Sequence, residues 1–225
     1  MAASITQLLS GVLRYFPNIM LMTFLVGGIL LAKLSWIWVA AGGLVVAVMI
    51  LLAQFLLGKF TGDLFNVPGI NVVEMCSILP RTTSDKFFML PSMWISLTAF
   101  FGAYIIFNAS TIYTTNPSAK PKDALPVQQR KGMGLISMLA SILILVVLLL
   151  GRFVTGCEFP PYDSIKSNII GGATFLLSIG LGFGMAYAWH TMLSASGISN
   201  ADVHGVMAGL TPGGLRAGAL ACKMS

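Results

Sequence analysis

Charge is what this sequence has least of: seven acidic and thirteen basic residues in a chain of 225, about 9 % charged. Soluble domains carry roughly 25 %, so a water-exposed globule of this length could not cover itself. Intrinsic disorder is excluded as well, because it needs low hydrophobicity and 56 % of these residues are hydrophobic. Histidine is scarcer still. His190 and His204 have no second His, Cys or carboxylate at metal-ligand spacing, and no nucleophile elbow, zinc-protease helix or phosphate-binding loop is present. The chain therefore reads as a non-enzyme with no cofactor and no metal. Its net charge of +6 comes from basic residues lying singly between apolar runs, not from an aromatic-interleaved basic stripe, so no nucleic-acid partner is expected. The acids Asp63, Glu74, Asp85, Asp123, Glu158, Asp163 and Asp202 all fall outside the apolar runs. Proton relays and substrate paths use intramembrane ionisable groups, so no small-molecule substrate is expected either.

What the sequence does have is long uncharged stretches. They predict an all-α, polytopic transmembrane helix bundle: one helical domain over residues 1–195 with spans at about 17–32, 34–58, 88–113, 133–151 and 168–193, then a Gly/Ala-rich tail over 196–225. The alternative is four spans plus an in-plane hairpin, because the first stretch is short for roughly 30 Å of hydrocarbon. Pro17 and Pro91 suit first helical turns, where a missing N–H is harmless. Met1 to Leu13 reads as a short interfacial segment. No positive charge precedes Arg14 and no small-x-small cleavage site follows at a sensible distance, so residue 1 onward is read as mature. A single helix over 17–58 would be about twice the membrane thickness, which places a break at Lys33-Leu34-Ser35. Trp36, Trp38, Trp94 and Trp189 are the expected interface anchors, and Lys120, Lys122, Arg130 and Lys131 the expected basic membrane flank. Basic residues divide almost evenly between the two faces; the dense third-loop cluster places that loop and the tail in the cytoplasm.

With chemistry scarce, packing carries the remaining content. Gly180, Gly184 and Ala188, with Gly172 earlier on the same helix, form a small-residue stripe that lets another helix approach closely, and Gly42-Gly43 offers a matching surface. Asn108, Ser96, Thr98 and Gln54 are expected to knit helices together. Asn108-Ala109-Ser110 matches the N-glycosylation pattern but lies within the third span and is discounted. Cys76 and Cys157 fall in the second and fourth loops, on one face, so a disulfide between them is topologically open, as are two unrelated thiols; Cys222 in the tail is the odd one out. The tail itself has little hydrophobic periodicity and is expected to need a partner to become ordered.

The run Cys76-Ser77-Ile78-Leu79-Pro80, then Pro91-Ser92-Met93-Trp94, Phe100-Phe101-Gly102-Ala103-Tyr104 and Asn108-Ala109, with Gly156-Cys157-Glu158 after the fourth helix, resembles small multi-spanning inner-membrane proteins of large icosahedral double-stranded DNA viruses, the chlorovirus-like group above all. The resemblance covers roughly residues 70 to 195. It implies a structural integral membrane protein of a virion, lying in the internal, host-derived membrane and touching minor capsid proteins or other virion membrane proteins. The other class open to the sequence is a cellular channel or transporter subunit, or a membrane-embedded enzyme.

Overall fold

The computed structural model describes residues 2–61, 91–115, 127–154, 165–197 and 201–204. They form five helices: α1 (Ala2–Leu30), α2 (Leu34–Thr61), α3 (Met93–Thr114), α4 (Val127–Val154) and α5 (Ile165–Ser196). Four contain stretches long and apolar enough to cross a membrane: Leu34–Leu56, Met93–Thr114, Gln128–Arg152 and Phe175–Ser196. The apolar part of α1, Arg14–Leu30, is about 25 Å long and short of a full crossing. Among the described residues every regular element is a helix, and the chain is a multi-pass membrane protein.

Two helix starts differ from the sequence expectation. Pro17 lies inside α1, because the segment before it continues the same helix; membrane helices tolerate the lost bond better than soluble ones do. Pro91 lies outside α3: Ser92 is the N-cap, its hydroxyl accepting from Ile95 N–H at 3.4 Å. The break after α1 falls where expected and has a specific form. Lys33 N–H donates to Gly28 O at 2.8 Å and Ala32 N–H to Ile29 O at 3.2 Å, with Ala32 at φ 50°. These two bonds satisfy the last carbonyls of α1 in the six-to-one, five-to-two pattern, and a left-handed residue is what that pattern requires.

α3 is the centre of the bundle, with Trp94 through Phe101 buried without interruption. It packs antiparallel to α4, where Gly134 lies against Ala109 O, Leu145 against Gly102 and Arg152 over Trp94. Its contact with α5 is parallel and keeps one register. Ser92 N–H donates to Ser178 Oγ at 2.7 Å and Ser96 Oγ to Ser178 O at 3.0 Å, Gly182 faces Ser96, and Tyr104 meets His190. α1 and α2 form an antiparallel hairpin beside this core, joined to it by Gln54 Nε2 donating to Pro91 O at 2.7 Å and Trp189 Nε1 donating to Trp38 O at 2.9 Å. α4 turns Ile136, Leu139, Leu143, Val147 and Leu150 outward, as expected of a face solvated by acyl chains.

The glycines sort differently from the small-residue stripe. A side-chain carbon added at Gly172, Gly180 or Gly184 would meet nothing within 4 Å, and Ala188 is exposed; this stripe faces away from the bundle. The glycine that admits α3 is Gly182, where an added carbon would lie 2.4 Å from Ser96 O and 2.7 Å from Ala99 Cβ. Being two residues from Gly180 and Gly184, it points to the opposite side of the helix. Gly42 and Gly43 are close-approach positions, against Phe100 with Trp189 and against Phe101 respectively.

Candidate functional site

The most polar place among the described residues is where the segment after α5 enters the bundle. Ala201, Asp202 and Val203 are buried, and three helices hold them together with His204. Trp36 Nε1 of α2 donates to Val203 O at 2.8 Å. On α3, Tyr104 and Asn108 lie one turn apart and so share a face. Their Oη and Nδ2 both donate to Ala201 O, at 3.3 and 3.0 Å. Asn108 Oδ1 lies 2.6 Å from His204 Nδ1, and Ser137 Oγ of α4 lies 2.8 Å from His204 Nε2.

These contacts assign the protons. With Asn108 Nδ2 turned to a carbonyl, Oδ1 must be the atom facing His204, and an amide oxygen only accepts. His204 therefore carries its proton on Nδ1, and the Nε2 lone pair accepts from the Ser137 hydroxyl. The result is a continuous chain, Ser137 to His204 to Asn108, drawn from α4, the tail and α3. His190 of α5 borders it, edge-on to Tyr104 at 5.5 Å; its Nε2 is buried with no hydrogen-bond partner among the described residues.

Burial lowers the proton affinity of the His204 imidazole; the nearby Lys33 acts in the same direction and the Asp202 carboxylate opposes both. The remaining titratable neighbours of the cluster are Tyr104 on α3 and His190 on α5. Because the docked imidazole titrates below the ordinary value of about 6.5, docking is fully favoured above that pH. That preference is lost as the pH falls from there through the lowered value, since over this interval the undocked tail takes up a proton before the docked one does. The Trp36 indole N–H resonance in micelles should accordingly move toward its unbonded position as the pH is lowered from about 6.5 through the docked imidazole's titration, and the movement should vanish in His204→Gln. An unchanged resonance over that range would show that His204 does not govern docking.

Several sequence-level site residues change meaning here. Asn108 is 1 % exposed and bonded on both sides of its amide, so it knits α3 to the tail and is no glycan acceptor in the folded chain. Residues 201–204 are held by side chains of the chain's own helices and bring a buried acid, Asp202, to them. Arg130 does not reach for lipid head groups: it is 1 % exposed and donates to Thr115 O, complementing the carbonyl end of α3. Lys131 lies over the Tyr113 ring at 5.7 Å. Of the four tryptophans, only Trp38 is exposed. Trp36 and Trp189 spend their N–H groups on carbonyls of this chain, while Trp94 is 2 % exposed beneath Arg152, 4.6 Å away. Ser96 and Gln54 do bridge between elements. Thr98 does not: its hydroxyl is buried without a hydrogen-bond partner among the described residues, beside an apolar cavity of about 130 Å³ lined by Phe16, Met20, Phe101 and Leu145. Cys76, Cys157, Cys222, Lys120 and Lys122 lie outside the described residues.

The cluster was missed from sequence because its members are 67 and 96 positions apart. The only legible trace was the Tyr104 and Asn108 pair on one helical face. Comparison with protein-family models, with curated proteins and with solved structures found no match.

Proposed function

We propose that the chain is a structural membrane protein that holds residues 201–204 against one end of the bundle and presents the rest of its C-terminal tail to a partner at the membrane surface. In the setting that the sequence resemblance implies, the membrane is the internal bilayer of a virion and the partners are minor capsid proteins or other virion membrane proteins. The observation that supports this reading is the anchoring of residues 201–204 by donors from α2 and α3, which fixes where the chain leaves the bundle. Arg216 and Lys223 come later in the sequence, suited to an acidic partner surface or to anionic lipid.

Quantitative mass spectrometry of purified particles tests the proposal. A copy number locked to capsid symmetry is expected, with incorporation lost when the chain is stopped after Asn200 although the helices still insert. Absence of the full-length protein from particles would remove the virion reading. Incorporation of the shortened chain at the normal level would remove the role of the tail.

A further inference from the structure

The geometry points to a second role for the tail: Ser137, His204 and Asn108 form an acyl-transfer site that takes carboxylic esters carried on apolar chains. Ser137 is the nucleophile, His204 the base and Asn108 the residue that positions it. A hydroxyl within about 2.6–3.2 Å of an imidazole nitrogen, with the other ring nitrogen tied to a third group, is the arrangement that activates a serine. Both distances here satisfy it, at 2.8 and 2.6 Å. The tautomer is the competent one, since Asn108 accepts from Nδ1–H and leaves the Nε2 lone pair facing the hydroxyl.

Tail anchoring alone does not account for Ser137. The backbone of residues 201–204 is already held by Trp36, Tyr104 and Asn108 through two carbonyls, whereas the Ser137 hydroxyl is bonded to the imidazole. The electrostatics suit a base: burial keeps the imidazole neutral with its lone pair free, and the Asp202 charge favours the imidazolium once it forms. Access is lateral. Ser137 and His204 are both half-buried, at the seam where α4 passes from its packed face to the outward face of Ile136 and Leu139. A substrate whose apolar chain lies along that face brings its carbonyl to the hydroxyl without crossing the core.

In the step itself Ser137 Oγ bonds to the ester carbonyl carbon while its proton passes to His204 Nε2. Collapse of the tetrahedral adduct breaks the bond to the alcohol, which leaves with that proton. Water then attacks the acyl-serine, gives a proton to Nε2, and restores the hydroxyl as the acid departs. No electrons are gained or lost, and water is the co-reactant.

The test uses the full-length protein in detergent and a long-chain alkyl fluorophosphonate, whose phosphorus bonds to Oγ as fluoride leaves. A single adduct on Ser137 is expected by peptide mapping, absent in Ser137→Ala, with a labelling rate that falls as the pH drops through the His204 titration. His204→Gln should slow labelling by about a hundredfold, at the low end of general-base assistance. Trp36, Tyr104 and Asn108 still hold the tail backbone in that variant, so slower labelling reports the lost base and not lost access. Asn108→Asp retains an acceptor for Nδ1–H and should label within about tenfold of the parent, while Asn108→Leu should lose the pH-dependent rate; this separates positioning from mere packing. No adduct at Ser137, or equal rates in the parent and in His204→Gln, would overturn the proposal.

Discussion

Replacing Gly182 with leucine is expected to break the contact between α3 and α5, while the same change at Gly180, two residues away, leaves the fold intact. At Gly182 the first added carbon already falls 2.4 Å from a backbone oxygen of α3 and 3.0 Å from Phe100 N. A backbone cannot swing aside as a side chain does, so the helices must separate. The registered bonds of Ser178 with Ser92 and Ser96 then go with them. Overpacking commonly costs about 1–3 kcal/mol. Here the loss of the serine bonds takes it to the upper end or beyond, enough to lower a thermal midpoint by roughly 10 °C. At Gly180 the added carbon meets nothing within 4 Å, and the leucine joins an outward groove beside Leu177 and Leu181. Thermal unfolding of the two variants in the same detergent decides the matter. Equal midpoints would show that the close approach at Gly182 does not hold the pair together.

Asn108→Leu should leave the helices assembled and free the tail. Asn108 supplies a donor to Ala201 O and the acceptor for His204 Nδ1; leucine of similar volume supplies neither. Tyr104 still reaches Ala201 O, but the imidazole N–H is left buried without its acceptor, at about 1–3 kcal/mol for such a group. Hydrogen exchange at the Trp36 indole N–H, which donates to Val203 O, should quicken on the order of a hundredfold while the α3 core amides keep their protection. Unchanged exchange at that indole would mean that Trp36 and Tyr104 suffice to dock the tail.

The helices were legible because their signal is local. Uncharged stretches bounded by Arg14, Lys33, Lys59, Lys131 and Arg152 have one low-energy state in a bilayer, with every backbone bond made within the segment. Composition also placed the hairpin break within two residues of where the chain turns. Helix starts were less legible, because proline is compatible with more than one position. Pro17 sits mid-helix and Pro91 just outside one, and only neighbouring packing selects between them.

By itself the sequence determined the solvent, the secondary structure and the rough extent of each helix, since these depend on side-chain transfer free energies summed over a window. It could not determine which side of a helix faces a neighbour when both sides are apolar. Lipid and protein interiors are alike to leucine, so no hydrophobic pattern separates Gly182 from Gly180. Nor could it show that four residues beyond the last helix return to the bundle. That depends on Trp36, Tyr104, Asn108 and Ser137 arriving together from three helices. Tertiary structure alone decided it, because in a low-dielectric interior each of these polar groups is stable only where the others already stand.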